Sequence, residues 1–330
     1  MAMSNELGKK KPVKKNKSSS RNILKGIIPW KGDSFFEVIR KILFMVALAV
    51  LVFALNMLYE YYYGERAVKE LNSTLEAIYS QSSDENRLDS SDESAIEKPV
   101  EGMLDKFVQL YNMNSDIIGW VEIPGVLSYP VMQTEDNEYY LSHSFDRTES
   151  KAGAVFADYR GEISIDHMPD NTILYGHNME SGEFFHQNLS YKKIDFLKEN
   201  PVISFDTLFD ESEWKIFACF LTSVKASQDG GVLFDYHNRI YFNNEESFND
   251  YYSEVMKRSY YNTAVDVVYG DELLTLSTCS TEFTDSRFVI VARKVRPGES
   301  SEVDVSQITA NPNKYMPLVW YEVYNIKPPR

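Results

Sequence analysis

Two cysteines and five histidines in 330 residues are too few, and too scattered, to give metal-ligand spacing. The sequence argues against a zinc site, and no cofactor is expected. The cysteines also make a poor disulfide framework. Cys219 sits inside Trp214-Lys215-Ile216-Phe217-Ala218-Cys219-Phe220-Leu221, which reads as a core strand, and free cysteine is among the most buried residue types. Cys279 sits where a strand meets a loop and reads as a free thiol. Positive charge is scarce beyond residue 41. Residues 1–41 hold eleven Lys/Arg against three acids, a net charge of +8, while the whole chain carries −15. The other 289 residues therefore carry −23, the difference between those two values. So acidic a body is a poor nucleic-acid binder, and a membrane surface explains the basic arm better. No internal repeat stands out.

Long apolar runs are missing too, with one exception. Residues 42–58 are seventeen positions whose only polar member is Asn56. Phe35 and Phe36 precede them, and Tyr59, Tyr61, Tyr62 and Tyr63 follow. A helix needs ~20 apolar residues to cross a bilayer, within a range of about 17–25, and aromatic flanks suit its interfaces. The lysines precede the run, so its N-terminal side is expected in the cytoplasm and its C-terminal side outside. A cleaved signal peptide fits less well. Its apolar core is usually about 7–15 residues, and no clean small-x-small site follows. Either reading exports the C-terminal bulk.

The expected organisation is a basic cytoplasmic tail (1–41), a transmembrane anchor (42–63), an extracellular helix with an acidic linker (64–98), a catalytic domain (99–296) and a C-terminal extension (297–330). The linker is rich in Ser, Asp and Glu and has little to bury. Beyond it, 102–111 has a helical apolar pattern, and Pro124-Gly125 reads as a turn. Strand candidates are 116–123, 129–133, 154–157, 172–175, 202–206, 214–224, 239–242, 272–279 and 287–294. Helices are expected at 65–79, 137–142, 192–197 and 245–261. About eight strands with few helices predict a mainly β domain, a closed or half-closed barrel with helical insertions.

The chemistry concentrates at strand ends. Leu273-Leu274-Thr275-Leu276-Ser277-Thr278-Cys279 reads as a strand ending on the thiol. A second strand opens at Arg287, so a hairpin sets thiol and guanidinium face to face. Alternation places Leu273, Thr275, Ser277 and Cys279 on one face, expected to open toward a groove. Leu274, Leu276 and Thr278 fall on the other, expected to pack inward. A cation near a thiol favours the thiolate, and an arginine can donate to a developing oxyanion. The bland alternative pairs Arg287 with Glu282 or Asp285. His177 follows Gly176 at the end of the strand-like Thr172-Ile173-Leu174-Tyr175, and histidine is the natural proton carrier near neutral pH. His143, His167, His186 and His237 lack that setting. Glu282, Asp285 and Asp158 are available as acidic partners, and spacing singles out none.

These segments resemble the sortases. Thr275-Leu276-Ser277-Thr278-Cys279 is similar to the T-L-x-T-C strand that ends on the family nucleophile. Leu174-Tyr175-Gly176-His177-Asn178 is similar to the histidine motif, and Arg287 matches the family arginine. Asp116-Ile117-Ile118-Gly119-Trp120-Val121-Glu122-Ile123-Pro124-Gly125 and Tyr129-Pro130-Val131 resemble the opening strands of class B, and the 245–261 helix its insertion. The resemblance covers about residues 103–296. It implies an eight-stranded β-barrel and a cysteine transpeptidase. Cys279 would form a thioacyl intermediate at the threonine of a sorting motif, Arg287 would stabilise the oxyanion, and His177 would move the protons. It implies surface proteins bearing sorting signals and a peptidoglycan-precursor amine as partners. Ser277, Thr278, Asn137 and Tyr140 would bind substrate, with Tyr139 near the groove.

The 297–330 extension departs from the family pattern. Its apolar segment 318–324 is expected to pack on the surface; covering the groove is the alternative. Among rival functions, a pilus-polymerising relative would need a lid segment that 82–98 lacks. A thiol protease would share the acyl-enzyme but pass it to water, and a non-catalytic wall-binding ectodomain would carry an incidental cysteine.

Overall fold

The computed structural model describes residues 26–83 and 98–329, so the expected basic tail and acidic linker lie largely outside the described residues. Two compact units divide between Gly64 and Glu65. In the first, α1 (Phe35–Ser83) starts at a capping box. The Glu37 amide donates to Ser34 Oγ at 3.4 Å, and the Ser34 amide donates to Glu37 Oε2 at 3.2 Å. Leu43, Phe44, Val50, Leu51 and Phe53 on this helix are exposed, and among the described residues it is the one helix long and apolar enough to cross a membrane. The expected separate helix over 65–79 is part of the same 49-residue helix. Residues 59–79 hold one glycine and no proline, so nothing breaks it.

In the second unit, the last turns of α1 lead to α2 (Asp105–Met113), then β1 (Ile117–Ile123), β2 (Leu127–Met132), β3 (Val155–Ala157) and β4 (Asn171–Tyr175). There follow α3 (Ile194–Glu199), β5 (Val202–Thr207), β6 (Glu213–Ser223), α4 (Glu245–Arg258), β7 (Tyr261–Asn262), β8 (Leu273–Cys279), β9 (Ser286–Lys294), β10 (Thr309–Ala310) and α5 (Leu318–Val323). Eight strands close a barrel in the order β1-β2-β3-β4-β8-β9-β6-β5, while β7 and β10 form a separate ribbon. The expected barrel is present. Its two parallel contacts are β2–β3 and β4–β8. The second of these sets the site.

The core has three parts. Val121, Leu174, Leu274, Leu276, Phe288 and Ile290 belong to a large cluster that includes Cys219. A second joins Leu75 and Tyr79 of α1 to Phe107, Trp120 and Met132. Tyr79 stacks on Trp120 at 4.3 Å and donates to Asp206 at 2.6 Å. Lys106, almost fully buried, bonds the same Asp206 at 2.7 Å and Glu211 at 2.6 Å. The third lies under α4, where Phe248, Tyr251 and Val255 meet Leu273, Val289 and Val291. The helix ends at Arg258, three residues before the expected limit, and starts on a capping box between Asn244 and Ser247.

Two expectations fail for related reasons. Residues 239–242 are not a strand. Their alternation is real, with Ile240 and Phe242 buried and Tyr241 exposed, but the Asn171 amide to Ile240 O is a single backbone bond rather than a ladder. The β8 face expected to open toward a groove is closed: Leu273, Thr275 and Ser277 are as buried as Leu274 and Leu276. A strand covered on both faces does not show a one-sided pattern.

Candidate active site

The site forms at the end of β8, where neighbours of opposite direction converge. On one side β9 runs antiparallel, in a register that pairs Cys279 with Arg287. On the other, β4 runs parallel, with Tyr175 opposite Ser277. The contact continues past β4. The Gly176 amide donates to Ser277 O at 3.3 Å, and Thr278 Oγ1 donates to Gly176 O at 2.8 Å. His177 is the next residue along the chain. The sequence-predicted cysteine thus ends β8, the arginine pairs with it from β9, and the histidine lies two residues past the end of the adjacent β4.

Gly176 is required by a close approach. A Cβ there would lie 2.8 Å from the ring of Phe185, which is fully buried. The Phe185 amide donates to His177 O at 3.0 Å and closes the loop behind the histidine. His177 is half-buried, and its Nε2 lies 2.9 Å from Leu141 O. A carbonyl oxygen only accepts, so Nε2 carries the proton, and in the neutral ring Nδ1 offers its lone pair.

Cys279 is the one exposed residue of β8, the other six being buried. Cys219 contrasts with it: fully buried on β6 opposite Ile290 of β9, its thiol pKa is pushed far up by burial. Arg287 is half-buried and donates from Nη1 to Ser286 O at 3.1 Å. Among the described residues it makes no ion pair. Glu282 pairs instead with Lys192 at 2.6 Å and Asp285 with Lys225 at 2.6 Å, so the bland alternative for Arg287 is not realised. Asp158, buried against Arg160 and Tyr175, is committed as well. None of the three acids bonds His177.

The turn between thiol and guanidinium is tied from within. The Ser280 amide donates to Ser286 O at 3.0 Å, and Ser286 Oγ donates to Ser280 O at 2.8 Å. Asp285 takes a left-handed φ of 63°, which aspartate tolerates better than most residues.

The other predicted site residues fall around this centre in different ways. Ser277 and Thr278 adjoin the cysteine but are buried, with their hydroxyls engaged by Tyr236 at 2.7 Å and by Gly176 O. Asn137 is half-buried, donates to Asp158 at 3.0 Å and accepts from the Tyr159 amide at 3.0 Å. Tyr140 is a core residue, 1% exposed, its hydroxyl between Asn114 and Asp116, so its ring offers no surface to a ligand. Tyr139 stacks on His143 at 4.1 Å. Sequence reasoning missed Leu141, which acts through its carbonyl, and Tyr236, a buried phenol on Ser277. A backbone acceptor leaves no sequence signature, and Tyr236 lies in a segment without periodicity. Among the described residues, no group of three or more His, Cys, Asp or Glu converges as metal ligands would.

Comparison with known proteins places this geometry. Sortase B of Listeria monocytogenes is 34% identical over 194 residues, spanning 58% of this chain and 74% of that protein. Sortase B of Staphylococcus aureus is 30% identical over 204 residues, spanning 61% and 79%. Among solved structures, a Staphylococcus aureus sortase B–substrate complex superposes with a TM-score of 0.58 at 26% identity, covering 72% of this chain and 99% of that one. No family model matches the chain.

Proposed function

The chain belongs to the sortase B family, whose members are cysteine transpeptidases, and we propose that its exported domain cleaves a sorting signal after threonine and joins the protein to a cell-wall amine. The observation that carries this is the register at one barrel end: an exposed Cys279 flanked by Arg287 on β9 and His177 beyond β4. Cys279 gives its proton to His177 Nδ1 as Sγ attacks the threonine carbonyl carbon, and the Arg287 guanidinium stabilises the oxyanion. The C–N bond breaks, and the leaving amine takes its proton from His177 Nδ1. The thioester then meets an incoming amine. Its nitrogen attacks, His177 Nδ1 takes the proton and passes it to Cys279 Sγ, and the thiol is released with a new amide. The Leu141 carbonyl on Nε2 supports this assignment because it fixes which nitrogen faces the reaction.

Ser277, Thr278 and Asn137 belong to this reading as supports of the groove wall. Substrate capture in the Staphylococcus aureus complex supports a peptide ligand. The apolar helix and the basic residues before it support a single-pass anchor, N-terminus inside and barrel outside. In this reading 1–41 is the tail, 42–63 the anchor, 64–98 the spacer, 99–296 the enzyme and 297–330 the extension.

The test is turnover of a threonine-containing sorting peptide by the full chain in detergent, with and without triglycine. A mass-spectrometric amide adduct is expected with triglycine. Acid product alone would make the protein a thiol hydrolase. Full activity in Cys279→Ala would sink the assignment.

A further inference from the structure

The segment after β9 packs back onto the domain, with Leu318, Val323 and Tyr324 of its expected surface stretch exposed. Ile308 and Met316 are buried and Tyr321 nearly so, all three in the large core cluster, and β10 pairs with β7. Apolar packing of this kind needs no particular polar partners. The segment has polar anchors on the Lys257, Ser259 and Tyr260 carbonyls, and further ones on two carboxylates, one of which adjoins the turn between Cys279 and Arg287 while the other lies inside it.

The first is Asp229, 6% exposed, at the end of the 3-10 turn Ala226–Asp229. A carboxylate so buried is costly without donors. Tyr315 Oη supplies one at 2.7 Å and the Leu318 amide another at 3.0 Å. Leu318 also packs over Gly230, where a Cβ would stand 3.1 Å from its Cδ1. On the same 3-10 turn, Gln228 Nε2 donates to Thr284 O at 2.9 Å, inside the Cys279–Arg287 turn. The Val224 amide reaches Asp285 O at 3.3 Å, and Lys225 pairs with the Asp285 carboxylate. The second carboxylate is Glu282, within the turn itself. Tyr324 Oη donates to one of its oxygens and Lys192 to the other. Lys192 also reaches Ser280 Oγ at 3.5 Å, next to the thiol.

We propose that residues 303–324 form a strap that positions the turn joining Cys279 to Arg287, gripping it directly through Tyr324–Glu282 and from behind through Tyr315 and Leu318 on Asp229. The proposal rests on the reading of Cys279 and Arg287 as nucleophile and oxyanion donor. It assigns Tyr315, Tyr324, Asp229 and Glu282 as positioning residues. None of the four reaches the substrate. Their effect is to hold thiol and guanidinium at a fixed separation while acyl groups come and go.

The test reads that separation without any peptide. In the full chain, Cys279 is alkylated with anionic iodoacetate and with neutral iodoacetamide, and the rate ratio is taken. A guanidinium beside the thiol raises the ratio by about fivefold, the effect of one unit charge at contact distance in water, and Arg287→Ala sets the floor. The double variant Tyr315→Phe/Tyr324→Phe removes two hydroxyls and no packing. Its ratio is expected to fall about two- to threefold toward the floor; the melting temperature falls too, because Asp229 loses the Tyr315 donor, but the protein stays folded at the assay temperature. A chain ending at Ser301 should reach the floor if it folds, and the double variant decides if it does not. An unchanged ratio in the double variant, or a wild-type ratio already at the floor, overturns the strap. Peptide cleavage on the same samples separates the two readings. A falling ratio in a protein that cleaves nothing leaves the strap and removes the transpeptidase. Cleavage with an unmoved ratio does the reverse.

Discussion

Strand β9 carries two arginines on one face, at opposite ends of the barrel, and they differ in what surrounds them. Arg293 is fully buried and saturated: Nη1 and Nη2 bond both oxygens of Glu299, Nη2 also donates to Asp266 Oδ1 at 3.3 Å, Nε donates to Asp266 O at 3.0 Å, and Nη1 reaches Lys294 O. Around it Lys215 also bonds Glu299, and Arg296 pairs with Asp266 and Asp271. Arg287 donates to one backbone carbonyl and stands beside an exposed thiol. The same residue type, on the same strand face, is scaffold where every donor is taken and, in the proposed mechanism, reagent where donors are left over. A guanidinium has five donors. Counting those already in use separates the two roles better than burial alone.

The largest effect expected from breaking this contrast is a double dissociation. Arg287→Ala should lower kcat/KM by about 10²–10³-fold, the loss typical of one oxyanion donor, and leave the denaturation midpoint in place. Arg293→Ala should do the opposite. Removing one partner of a buried ion network costs about 3 kcal/mol of stability, seen in urea unfolding, while the folded fraction keeps its kcat/KM. Comparable losses of activity in both variants would erase the distinction.

A smaller effect sharpens the scaffold end. Hydrogen bonds from Arg293, then from Lys215, hold the Glu299 carboxyl well below the usual carboxylate range. A group whose pKa is depressed in the folded state stabilises at pH above its unfolded value, about 4.3 for Glu. That stabilisation is lost as pH falls through the folded value. Glu299→Gln should therefore unfold at lower urea than wild type at pH 7, and the two midpoints should converge as the pH is taken below about 4. Parallel midpoints down to pH 2 would mean the arginine gains nothing from this carboxylate.

The contrast also shows what the sequence could carry. Cys279, His177 and Arg287 stood out as candidates because each punctuates an apolar run, and the hairpin pairing of Cys279 with Arg287 was legible from the two strands alone. The two cysteines were separable by setting alone: one inside an apolar run, one at its edge. The 239–242 segment was misread because alternation reports which side chains are buried, not whether the backbone finds a ladder. The open face of β8 was misread because α4 and the segment around Tyr236 cover it, and no local pattern announces a cover supplied from forty residues away. The placement of Tyr140 failed similarly: an aromatic next to a groove and an aromatic behind it look alike until Asn114 and Asp116 claim the hydroxyl.

The smallest expected effect tests that cover. Tyr236 is wholly buried, and burial raises its phenol pKa, so at neutral pH the hydroxyl is protonated and Ser277 can accept from it or donate to it. Tyr236→Phe keeps the ring between Phe220 and Phe234 and leaves Ser277 Oγ without this partner. The cost of one such orphaned buried hydroxyl is about 1–3 kcal/mol. Because Ser277 is two residues before the proposed nucleophile on the same strand face, the strain should also reach Cys279. A change in KM for sorting peptide at constant kcat would mean that the roof shapes the groove. Lost stability with both constants unchanged would make Tyr236, like Arg293, part of the scaffold. Adding Ser277→Ala to Tyr236→Phe removes both partners together and should restore most of the stability, since no polar atom is then left unpaired.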